Sequence, residues 1–249
     1  AVSRFGEIKR WPAEGFRALA DRAAGARRLW SAGFHGLSAV AIGFPLLFEA
    51  ASRFKLLPPV LAAATLAAFT AVALGMAVLR GLRVVAWLLA LGGIPTAVAL
   101  MVASGRMAPP ALYLVLLGTA VLWIGYVRGW VFLRWPVAIA ADLSVAVMAL
   151  RAVRPDEPEG PGSALLLQVA LMALYLGSIA TRTLLLNRKV VYFEVVQTAA
   201  AILVGLGGAV FVASRTGTGG GIFGLVSVAF GVASYAVAFT FVARRQQQS

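Results

Sequence analysis

Apolar residues in this chain come in long uninterrupted runs, parted by short basic or proline-bearing turns. A run of about 20 apolar residues crosses a hydrocarbon layer about 30 Å thick as one helix. The pattern predicts eight such spans, at 31–50, 57–79, 84–103, 111–127, 131–150, 163–185, 190–214 and 221–243. The predicted fold is therefore all-α, a polytopic transmembrane helix bundle. Ahead of it, residues 1–30 are polar and basic. Phe16, Leu19, Ala20, Ala23 and Trp30 recur there at helical spacing, with Arg17, Arg22, Arg27 and Arg28 between them. That pattern predicts an amphipathic helix lying in the headgroup layer; a solvated helix awaiting a partner fits it equally. Residues 244–249 form a short basic and polar tail, leaving 31–243 as the bundle. The chain begins with Ala1 rather than Met, as expected of a processed start or a piece of a longer protein.

Cations give the bundle an orientation. With residues 1–30 inside, sixteen of the 22 Lys and Arg residues fall on the inner side, in 1–30, at Arg80, Arg83, Arg128, Arg134, Arg182, Arg188 and Lys189, and at Arg244 and Arg245. The outer side keeps Arg53, Lys55, Arg106, Arg151, Arg154 and Arg215. Cytoplasmic loops carry the excess of positive charge, so both ends are expected in the cytoplasm. Trp11, Trp30, Trp87, Trp123, Trp130 and Trp135 fall near the same inner face, as an interfacial aromatic belt would. A faint repeat runs through the spans. Pro58-Pro59, Pro109-Pro110 and Pro161 each open a helix on the outer side, and Arg80-Gly81, Arg128-Gly129 and Asn187-Arg188-Lys189 each turn it back inside. The repeated unit is a two-helix hairpin, and continuing it predicts a ninth span in a longer parent chain.

Composition narrows the class. Of 249 residues 61% are hydrophobic and 12% charged, with mean hydropathy +0.90; soluble domains are about 25% charged. A net charge of +13 would suggest nucleic acid in a soluble chain, but these cations sit at span ends, where they face anionic lipid headgroups. The expected partners are the bilayer, its anionic headgroups and other membrane proteins or copies of this chain, not nucleic acid. Absence of cysteine excludes disulfides and thiolate chemistry, and His35 is the only histidine, so no metal site or cofactor is expected; His35 reads as a packing residue. Abundant Ala and Arg suggest a bacterium of high G+C content, and hence its inner membrane.

Few residues carry candidate chemistry. Asp142 lies near the middle of the fifth span, where a charge costs about 2.5–3.5 kcal/mol even on the mildest insertion scale. It is expected to face inward, either as a proton or cation site or as a protonated group joining two helices. Gln168, Tyr175, Ser178 and Arg182 share one face of the sixth span; Glu194, Gln197 and Thr198 share one of the seventh. Arg182 and Glu194 stand six residues either side of Arg188, hence at one depth on adjacent antiparallel helices, which predicts an ion pair. The candidate intramembrane site is thus Asp142, Arg182, Glu194, Gln197, Gln168 and Tyr175. Gly92-Gly93-Ile94-Pro95 predicts a kink or local unwinding in the third span. Gly219-Gly220-Gly221-Ile222-Phe223-Gly224 spells a dinucleotide fingerprint but lacks its strand. Gly220, Gly224 and Gly231 read better as a small-residue packing stripe, expected to meet Gly205 and Gly208 of the seventh span.

Three functions fit this inventory. A structural or assembly subunit of a membrane complex accounts for the sparse polarity and the small-residue faces. A transporter or channel for a small solute, ion or proton would use Asp142. A lipid-modifying enzyme comes third, because no acid–base pair, metal set or nucleophile elbow is present.

Overall fold

The computed structural model describes residues 11–154, 156–186, 188, 190–217 and, further on, 220, 221, 224, 225, 227–229, 231, 232 and 235. Most of the eighth predicted span, the C-terminal tail, residues 1–10 and the side-chain pattern of 11–30 lie outside the described residues. Up to Thr216 the described residues form seven helical rods: α1 Trp11–Ser52, α2 Pro59–Arg80, α3 Arg83–Ser104, α4 Ala108–Arg128, α5 Arg134–Arg151, α6 Gly160–Ala180 and α7 Tyr192–Thr216. No strand occurs among the described residues. Lipid offers backbone groups no hydrogen bonds, so a spanning segment must satisfy them internally, as a helix does. Six of the rods are long and apolar enough to cross a membrane; α5, with Arg134, Asp142 and Arg151 in 18 residues, is not one of the six.

Local chemistry marks the helix ends. Pro59 occupies the first turn of α2, where its missing N–H costs nothing, and Pro109 and Pro110 do the same for α4. Gly81, Gly105 and Gly129 end α2, α3 and α4 at φ near +70°, +65° and +70°, the left-handed turn that glycine takes without a Cβ clash. The α4 start has a further device that the sequence does not announce. Glu159, from the loop before α6, accepts the backbone N–H groups of Met107 at 2.7 Å and Ala108 at 2.9 Å. A carboxylate at a helix N-terminus meets the positive end of the helix dipole.

The hairpins α2–α3, α4–α5 and α6–α7 stand side by side. Their first helices form one layer, α2 on α4 on α6; their second helices form the other, with α1 packed on α3. The central helix α4 is the most enclosed. Tyr113 of α4 inserts its hydroxyl against Gly93 of α3 and shares a 3.1 Å hydrogen bond with Thr70 of α2.

α1 is one continuous helix of 42 residues, running from Trp11 through the first predicted span to Ser52. α3 is helical throughout with Pro95 inside it, so the local unwinding expected at Gly92-Gly93-Ile94-Pro95 does not occur. Its glycines serve close approach instead, with a Cβ on Gly92 2.6 Å from a Val40 methyl carbon and 2.7 Å from the Phe44 ring. His35 is exposed beside the Phe34 ring rather than packed inside. For Gly205 and Gly208, the neighbours among the described residues lie on α5 and α6. Gly205 packs on Met172, and Gly208 on Gln168 and Ala149, while nothing lies within 4 Å of a Cβ built on Gly220, Gly224 or Gly231.

α7 contains a π-helical segment, Ile202–Gly207. Its buried positions Gln197, Ala201, Gly205 and Ala209 recur every four residues. A 3.6-residue helix would carry that row off its face by about 40° per step; the wider turn takes up the drift.

Candidate functional site

The polar residues of the last two hairpins gather at the interface of α4, α5, α6 and α7. α6 ends in a second π-helical turn, Thr181–Leu185, from which Arg182 points back into the bundle. There it pairs with Glu194, whose side chain is 0% exposed. This is the ion pair expected from hairpin symmetry. Glu194 is the third residue of α7, and its other carboxylate oxygen accepts the N–H of Val191 at 2.9 Å. One carboxylate thus caps its own helix and neutralises a cation on the neighbouring one. The Arg182 guanidinium also stacks over the Tyr126 ring of α4 at 4.4 Å.

One turn deeper on α7, Gln197 reaches α5. Its amide nitrogen stands 3.1 Å from each oxygen of Asp142. Asp142 is half-buried, whereas Gln197 is buried. Ala138, Ala141 and Val145 line the buried face of α5 around it, small enough to let α5 approach its neighbours. Gln168 and Tyr175 are fully enclosed on α6. Neither is hydrogen-bonded to Asp142: Gln168 lies against Gly208, and the Tyr175 hydroxyl against Gly118 of α4.

Five contributors escape sequence reading. Tyr126 and Arg134 stand near the basic turn and read as ordinary interface residues, yet Arg134 is buried with its guanidinium 4.3 Å over Phe193. Phe193 in turn meets Trp135 edge-on at 4.9 Å. Trp123, counted in the aromatic belt, donates its indole N–H to Ser178 at 3.0 Å. Their mutual contacts show only once the helices are packed. Among the described residues no three His, Cys, Asp or Glu side chains cluster closely enough to hold a metal ion.

The site can do two things chemically. It ties helices together through charge-assisted and amide hydrogen bonds, and it holds one carboxylate, Asp142, against a neutral partner. No protein-family model, curated protein or solved structure matches this chain.

Proposed function

We propose that this membrane-embedded chain is a structural subunit of a membrane assembly, built of copies of itself or of other membrane proteins. One observation carries the reading: four pairs of intramembrane polar side chains join across helix boundaries. Arg182 joins Glu194, Gln197 joins Asp142, Trp123 joins Ser178 and Thr70 joins Tyr113. Such contacts stiffen a bundle in lipid, where polar groups act as glue. We place it in a bacterial inner membrane with both termini cytoplasmic, supported by the composition and by the sixteen cations on one side.

Translocation of a proton or small cation is the second reading, favoured by the amide that faces Asp142. An amide donates to a carboxylate through nitrogen and accepts from a carboxylic acid through oxygen, so it accommodates both states. Asp142→Asn separates the two readings, because the amide retains one hydrogen bond to Gln197 but cannot titrate. The structural reading expects wild type and variant to elute at the same assembly size in mild detergent, and their proteoliposomes to be equally proton-tight. Wild-type liposomes that dissipate a pH gradient, with Asp142→Asn liposomes that do not, would overturn it in favour of translocation.

A further inference from the structure

At the end of the bundle opposite the Gly81 and Gly129 turns, a cavity of about 390 Å³ opens where α1 and α3 finish and α2 and α4 begin. Ser52, Lys55, Leu57, Pro59, Leu100 and Ser104 are among its walls. α2 is 22 residues long, or about 33 Å at 1.5 Å per residue. That matches the hydrocarbon core, so the cavity lies at the boundary between acyl chains and headgroups.

Two independent features distinguish this cavity. Its lining carries one charged side chain, Lys55. Lys55 is also the one non-glycine residue with positive φ among the described residues, at +52°. Elsewhere the chain takes the left-handed conformation with glycine, at Gly81, Gly105, Gly129, Gly160 and Gly217. Here the turn is closed by Phe54 N–H on the Glu49 carbonyl at 3.0 Å and Leu56 N–H on the Ala50 carbonyl at 2.9 Å. A lysine there accepts a steric cost that glycine avoids, and strain of this kind points to a role for the side chain. The walls offer little else to an anion. Pro58, Pro59 and Pro110 have no N–H, and the Ser52 and Ser104 hydroxyls donate to the Phe48 and Leu100 carbonyls at 2.7 and 2.6 Å. Leu57, Ala62 and Leu100 supply apolar surface beside a polar share of nearly equal extent.

We propose that this cavity binds the phosphate of an anionic phospholipid on Lys55, with the head of its acyl chains against Leu57, Ala62 and Leu100. The ligand must combine one negative group with apolar carbon at headgroup depth, as an anionic lipid does. The test uses the purified full chain in detergent with a photoactivatable phosphatidylglycerol carrying its diazirine near the glycerol, and maps the cross-linked peptides. Lys55→Gly removes the charge while relieving the backbone, so the fold is kept; Lys55→Arg keeps the charge. Labelling within 52–62 and 100–104 is expected to fall about tenfold in Lys55→Gly and to persist in Lys55→Arg. A matching phosphatidylcholine probe should label those peptides weakly, and millimolar inorganic phosphate should not displace the lipid. Unchanged labelling in Lys55→Gly, or equal labelling by phosphatidylcholine, would overturn the site. Full displacement by inorganic phosphate would overturn the lipid in favour of a free phosphate anion.

Discussion

Removing Arg182 exposes what a buried carboxylate costs when its cation is taken away. The Arg182 side chain is 17% exposed and that of Glu194 0%, so Arg182→Met leaves Glu194 enclosed with the Val191 N–H as a donor and with Tyr126 and Arg134 as its other polar neighbours. Breaking a buried pair from one side typically costs about 3–5 kcal/mol. Loss of the stacking over Tyr126 adds about 0.5–1 kcal/mol. Glu194→Gln should cost less, because it removes the enclosed charge itself and its single amide oxygen keeps one of the two bonds, to Val191 or to Arg182. The double variant Arg182→Met with Glu194→Gln removes both charges, and its loss should fall well short of the sum of the two. A coupling on the order of 2–3 kcal/mol is expected. Exchange of the charges, Arg182→Glu with Glu194→Arg, should recover only part of the stability. It puts a cation in the first turn of α7, where the helix dipole opposes it by about 0.3–1 kcal/mol. The assay is unfolding of the detergent-solubilised protein by added sodium dodecyl sulfate, followed by circular dichroism, for each corner of the cycle. Additivity within about 0.5 kcal/mol would show that the two side chains contribute independently, and the pair would have no part in holding α6 to α7.

Two further outcomes are expected. Gly118→Ala drives a methyl into the Tyr175 hydroxyl and should destabilise by about 1–3 kcal/mol; Tyr175→Phe in the same chain should restore most of the loss, and absence of rescue in thermal unfolding would mean that the clash is elsewhere. Because the chain has no cysteine, Asp156→Cys and Arg188→Cys, both at exposed positions, report topology directly: an impermeant maleimide added to intact cells should label the first and not the second, and labelling of both or of Arg188→Cys alone would contradict the orientation.

Much of the helix layout is legible along the chain because the bilayer makes it a local problem. Each apolar run must satisfy its own backbone, so runs, prolines at N-termini and glycines at left-handed ends suffice to place α2, α3 and α4 within a few residues. The Arg182–Glu194 pair is legible for the same reason: both residues flank one turn, and counting along two helices sets their depth. Asp142 and Gln197 are a different case. They stand 55 residues apart on separate hairpins, and nothing local says that α5 meets α7 at that height. Helix faces are harder still, since lipid and protein interior are equally apolar and periodicity cannot tell one from the other. Gly220, Gly224 and Gly231 therefore read as a packing face, yet among the described residues the close approaches include Gly92, Gly93, Gly118, Gly205 and Gly208. Those glycines matter because a particular Phe, Tyr, Met or Gln arrives opposite them from another helix. Which helices span was set by chemistry within each segment; which residues meet was decided only when three hairpins and α1 packed together.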